Sequence, residues 1–158
     1  MSKISLELRW AVIFAISILV WMLIERLTGL HGERIDQHYI YTNLFAIVAI
    51  VIYVLALQSK RAQLGGIMSW KQGFIAGVII SLVIAILSPL VSYLGHTFVS
   101  PDYFPNIIAH SVAIEAMTQA EAEAFFNLQS YMVQSAVFAF VVGVVTSAIV
   151  AVFVKRTA

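Results

Sequence analysis

The chain has no cysteine. Disulfides, thiolate nucleophiles and cysteine-held metal are therefore excluded. Charge is scarce as well. Asp, Glu, Lys and Arg supply 11% of the 158 residues, against 61% hydrophobic. With a mean hydropathy of +0.96, too little polar surface remains to cover a water-soluble globule. A net charge of +1 gives no case for nucleic acid as a partner. No H-E-x-x-H and no G-x-S-x-G occurs, so neither a zincin helix nor a nucleophile elbow is written in the chain.

What is present is long apolar runs. About 20 apolar residues cross a bilayer as a helix, and four segments qualify: residues 6–27, 40–57, 73–94 and 131–154. The expected fold is an all-α, integral membrane four-helix bundle. It forms one domain, with a short helical cap over residues 95–130 between the third and fourth spans. No small-x-small cleavage signal follows the first run, which reads as an uncleaved signal anchor. None of the spans carries an ionisable side chain near its middle. Proton-coupled carriers usually place such groups at depth, so this counts against a pump or carrier.

The charges divide by side. Lys3, Arg9, Lys60, Arg61, Lys71, Lys155 and Arg156 accompany the single acid Glu7 at one end. At the other end, Arg26 and Arg34 face Glu25, Glu33, Asp36, Asp102, Glu115, Glu121 and Glu123. Lysine and arginine mark the cytoplasmic side, so both termini are expected there. All four histidines, His31, His38, His96 and His110, then lie outside.

Local signals refine the picture. Ser69-Trp70-Lys71-Gln72 and Thr118-Gln119-Ala120-Glu121 read as capping boxes that open helices. The second of these is expected to run through Phe125 and Phe126 into the fourth span. Pro89 should kink the third span, with Ser88 or Ser92 satisfying a freed carbonyl. Ser100 to Pro105 reads as a turn-rich connector, and residues 106–116 as a short interfacial helix. Small residues recur every fourth position in two spans: Gly73, Gly77, Ser81 and Ala85 in the third, and Ser135, Ala139, Gly143 and Ser147 in the fourth. In lipid such rows let backbones approach closely. They are expected to pack against each other, the rival being a row turned toward a second copy of the chain.

The densest polar stretch is ERLTGLHGERIDQH, residues 25–38, in which seven of fourteen residues can ionise. His31, Glu33, Asp36 and His38 offer nitrogen and oxygen ligands to a divalent metal. The plainer alternative is a solvated turn, with Gly32 stopping the first helix. A third reading joins Glu25, Arg26, Arg34, His96, Asp102 and His110 in a polar network between the two outer loops. Glu25 and Arg26 are expected to pair where the first span leaves the hydrocarbon.

Several stretches together carry a resemblance: Glu25-Arg26-Leu27-x-Gly29-Leu30-His31, Glu33-Arg34-Ile35-Asp36-Gln37-His38, Lys71-Gln72-Gly73-Phe74, Ile86-Leu87-Ser88-Pro89-Leu90, Pro101-Asp102-Tyr103-Phe104, and Met117-Thr118-Gln119 with Glu121-Ala122-Glu123. Over nearly its whole length the chain resembles the bacterial membrane family catalogued as domain of unknown function 4199. The resemblance implies a multi-pass protein of a Gram-negative inner membrane with its acidic face in the periplasm. It implies no activity, cofactor or catalytic residue.

The leading functional expectation is a non-enzymatic interaction or accessory subunit of the inner membrane, without a cofactor. Its expected partners are lipids and a second copy or another membrane protein. The rivals are a small-solute or lipid transporter or channel, and a metal or acid-base site at the periplasmic face. The cysteine-free background makes the sidedness directly testable. An impermeant maleimide should label Glu33→Cys in intact spheroplasts, and Lys155→Cys only after the membrane is opened. The opposite pattern would reverse the orientation.

Overall fold

The computed structural model describes residues 5–157, so Lys3, counted above among the bases, lies outside the described residues. The chain is a helical bundle. Helix α1 (Ser5–Leu27) is followed by a turn and α2 (Ile35–Tyr41). A short 3-10 turn, Thr42–Leu44, leads into α3 (Phe45–Gln63). Helix α4 (Trp70–Leu94) passes into a π turn, Gly95–Val99. Helices α5 (Tyr103–Ala113) and α6 (Gln119–Phe125) precede α7 (Leu128–Val154).

Four stretches are long and apolar enough to cross a membrane: Leu6–Leu27, Ile35–Gln63, Trp70–Val99 and Leu128–Val154. At 1.5 Å per residue the 27 residues of α7 reach about 40 Å, more than the roughly 30 Å of a hydrocarbon core. The second stretch is longer than its apolar run, because Asp36, His38, Lys60 and Arg61 also sit on helical turns.

Helices α4 and α7 form the tightest pair. A Cβ on Gly77 would collide with Ser147, and one on Gly73 would lie 3.3 Å from the Ala151 Cβ. One on Gly143 would stand 2.5 Å from both the Ser81 Oγ and the Tyr53 hydroxyl. The buried hydroxyls at this seam are all bonded. Ser81 donates to the Gly77 carbonyl and Ser147 to that of Gly143. Tyr53 on α3 meets Ser81 at 2.8 Å. Gly73, Gly77, Ser81, Gly143 and Ser147 are buried, whereas Ala85, Ser135 and Ala139 are only half-buried. The pair therefore loosens toward the end that carries the histidines. Large apolar side chains such as Ile16, Ile47, Ile86 and Val137 face outward, as lipid-facing positions require.

The basic end is closed by polar ties. Lys60 pairs with the buried Glu7 at 2.7 Å. Arg61 donates to the carbonyl of Val154, a free acceptor at the C-terminus of α7. Met68 and Arg156 exchange two backbone hydrogen bonds of 2.9 Å.

Both capping boxes form, at Ser69 with Gln72 and at Thr118 with Glu121. The bonds from Thr118 hold the Glu121 carboxyl below its ordinary range. Three local expectations need correction. Gly29, at φ 82, ends α1, not Gly32. Gly29 and Leu30 donate back to the Arg26 and Glu25 carbonyls, the Schellman pattern that a left-handed residue allows. Helix α6 does not run into α7. The chain breaks at Phe126, and the Asn127 side chain caps α7 by accepting from the Ser130 N–H at 2.9 Å. At Pro89, Ser88 donates to the Ile84 carbonyl, not to that of Ala85, the group that the missing N–H leaves without its helical donor.

Gly143→Leu should lower the thermal unfolding midpoint in detergent far more than Ala148→Leu. Overpacking of this kind costs about 1–3 kcal/mol or more. Equal losses would mean that the α4–α7 seam is not the tight contact described.

Candidate functional site: a buried carboxylate–histidine cluster

The turn of residues 25–38 splits its charges. Arg26, Glu33, Arg34 and Asp36 are exposed, while Glu25 and His31 are buried at 5% and 4% exposure. The Schellman turn at Gly29 folds the chain back over the end of α1, so that His31 returns to Glu25. Ile35 is buried at the start of α2, which turns its neighbour Asp36 outward and His38, about one turn later, inward.

The three inward side chains converge. The Glu25 Oε2 lies 3.3 Å from the His31 Nε2 and 3.8 Å from the His38 Nε2. One ligand atom from each of Glu25, His31 and His38 falls within 4.8 Å of the others. The remaining Glu25 oxygen accepts from the Trp21 indole N–H at 2.9 Å. The other ring nitrogen of His31 is 2.8 Å from the Ser100 Oγ. The His31 carbonyl accepts from the Asn106 side chain at 2.8 Å, which ties the turn to α5.

Ser100 arrives by a specific route. Its N–H bonds to the Gly95 carbonyl, five residues back, and this wide turn ends at Pro101. The residue before a proline is pushed out of the helical region, and Ser100 has φ −141 and ψ 71. A Cβ on Gly95 would strike the Met22 sulfur, so a larger residue here would push the Met22 side chain aside.

Aromatic rings build the opposite wall. Tyr103 lies 4.9, 5.3 and 5.3 Å, centroid to centroid, from His31, His38 and His96. Its hydroxyl is 3.2 Å from that of Tyr131. Burial pushes the Tyr103 phenol far above its ordinary range, so it stays neutral. His96 stacks on Phe104 at 4.6 Å and bonds through Nδ1 to the Ser92 carbonyl. Glu25, His31, His38, His96, Tyr103 and Tyr131 line a cavity of about 330 Å³ that reaches down between α1, α3 and α7 to Ile18, Phe45 and Phe138.

The sequence-derived sets are thus partly regrouped. Of His31, Glu33, Asp36 and His38, only the two histidines meet, and the carboxylate that joins them is Glu25. Arg26 does not pair with Glu25; it donates to the Val99 carbonyl. Arg34 bonds locally to Gln37 and the Thr28 carbonyl. His96 lines the cavity. Asp102 is exposed and His110 half-exposed on α5, and among the described residues neither bonds to the cluster. Ser100, Trp21, Tyr103 and Tyr131 are outside the candidate site sets, Trp21 and Tyr131 reading from sequence as interfacial aromatics at the outer ends of their spans. The Ser-Pro step was the signal available for Ser100.

The bundle and this cluster define a class: a helical protein with four stretches long and apolar enough to cross a membrane, and with a buried carboxylate and two histidines at one end. The family described as Protein of unknown function (DUF4199) matches residues 9–156, and the chain belongs to it. No curated protein and no solved structure matches the chain.

Ser100→Ala removes the only side-chain partner that the His31 Nδ1 has among the described residues, in a buried setting. It should cost about 1–3 kcal/mol of stability. Denaturant or thermal unfolding of the purified protein would show it, and an unchanged midpoint would mean that the Ser100 contact carries no energy.

Proposed function

We propose that the protein is a multi-pass component of the inner membrane, with both termini cytoplasmic, that holds a divalent metal ion on Glu25, His31 and His38 at its periplasmic end. Zinc fits the donor set best. The observation that carries this reading is the convergence of three ligand atoms from α1, the turn and α2. Zinc sits about 2.0–2.1 Å from nitrogen and oxygen ligands, so two corners of its tetrahedron are about 3.3 Å apart. The Glu25–His31 separation of 3.3 Å equals that edge, the 3.8 Å to His38 exceeds it, and all three ligand atoms lie within 4.8 Å of one another, so the histidines close around the ion on binding.

The surroundings support the same reading. Metal-bound histidines usually give their second nitrogen to a hydrogen-bond partner that fixes the tautomer. Ser100 fills that role for His31, and Trp21 holds the second Glu25 oxygen so that Oε2 faces the histidines. Three protein ligands leave a fourth corner, as in zinc sites that act on a bound molecule. The sidedness rests on the charge bias: Lys60, Arg61, Lys155 and Arg156 gather at the end opposite the cluster.

Metal analysis after zinc loading should give about one zinc per chain. Glu25→Gln and His38→Ala should abolish it, and Ser100→Ala should weaken it by about 10–100-fold. Loading that fails, or that survives loss of Glu25 and His38, would overturn the proposal.

A further inference from the structure

We infer that the cavity beside the cluster binds the phosphate head of a membrane lipid, with the head on the metal and the start of the chain on the apolar floor. The inference rests on the metal reading and names its ligand class.

The cavity has two chemically distinct ends. Glu25, His31, His38 and Thr42 lie at the top. Ile18, Met22, Phe45 and Phe138 form the lower wall, within the stretches long enough to cross a membrane. Its volume of about 330 Å³ falls at the lower end of the range for small-molecule sites. Phe138 is 69% exposed on the outside of α7, so the lower wall borders the surface that faces lipid. An occupant therefore needs a polar head and an apolar continuation, and it can enter sideways from the bilayer.

Charge selects the head. Among the described residues, Glu25 is the only one whose carboxylate lines the cavity. A divalent ion with one carboxylate and two neutral imidazoles carries a formal charge of +1. The fourth ligand is then favoured to be an anion. The hydrogen-bonding groups favour a head that can also accept a hydrogen bond. The Tyr103 and Tyr131 hydroxyls share one hydrogen bond, which leaves one phenolic hydrogen to donate into the cavity. Thr42 also lines the cavity, with its hydroxyl engaged by the Glu25 carboxylate. A phosphate monoester can ligate the metal with one oxygen and accept the phenolic hydrogen with another, and its charge of about −1.5 to −2 at neutral pH, against −1 for a carboxylate, holds it more strongly to the +1 centre.

The test uses the full chain purified in a neutral maltoside detergent, with decyl phosphate as the probe, followed by native mass spectrometry and calorimetry. Zinc-loaded protein should bind decyl phosphate at least about tenfold more tightly than decanoate, and decanol should not be retained. Zinc-free protein and the His38→Ala variant should lose this binding. Phe138→Ser should weaken it by roughly three- to tenfold while one zinc per chain remains. If zinc binds but decyl phosphate does no better than decanol, the lipid inference fails and the metal site stands. Equal binding of decanoate, or binding that ignores zinc, overturns the phosphate assignment. If zinc does not load at all, both readings fall together.

Discussion

The close approach of α4 and α7 is the contact on which the rest of the bundle depends. In lipid, apolar surface gains little by leaving its surroundings, so helix pairing must come from dense van der Waals contact and hydrogen bonds. Gly73, Gly77 and Gly143 let the two backbones come near enough for both. The serines that fill the seam direct their hydroxyls to carbonyls of their own helices and so add no unpaired polar group. Tyr53 then uses the Ser81 hydroxyl to hold α3 against the same seam. With three helices joined, α1 needs only its buried small side chains, such as Ala11 and Ala15, to close the bundle.

The same seam explains where polar chemistry can sit. At the basic end the helices are tight, and Lys60 pairs with one oxygen of Glu7, whose other oxygen is buried without a partner among the described residues, while Arg61 bonds to a helix-terminal carbonyl. Toward the other end, Ala85, Ser135 and Ala139 are less enclosed, and the space between α1, α3 and α7 opens. Side chains too polar for the bundle's middle gather over this space and bond across three different segments. A carboxylate that would be costly in hydrocarbon is tolerated there because Trp21 donates to it and two imidazoles flank it.

Much of the fold was legible in the sequence because its signals are local. Apolar length marked the four long helices, and the capping boxes at Ser69 and Thr118 marked two helix starts. The cluster was only half legible. Glu25 and His38 are thirteen positions apart, and no spacing rule says that the chain folds back at Gly29. Composition made Glu33 and Asp36 look equivalent to Glu25, and only the burial of Ile35 separates them. Ser100 lies sixty-nine positions from His31. A contact of that kind comes from packing α4 beside α1, which no local pattern encodes. The break at Phe126 was hidden for a related reason: an apolar run looks the same whether or not a cap such as Asn127 interrupts it.

The π turn after α4 acts as a phase shift. Along α4 the buried positions follow an ordinary helical beat through Ser88, Val91, Ser92 and Gly95. Continued in step, that beat would bring Phe98 or Val99 inward next. One extra residue in the turn delays it. Phe98 is left 66% exposed, and Ser100 arrives at the interior with 3% exposure. A helix residue is worth about 100° of rotation, so this single insertion lets one continuous element serve two partners that lie at different angles. Its lower part stays registered to α7, while its upper end is registered to the turn above α1.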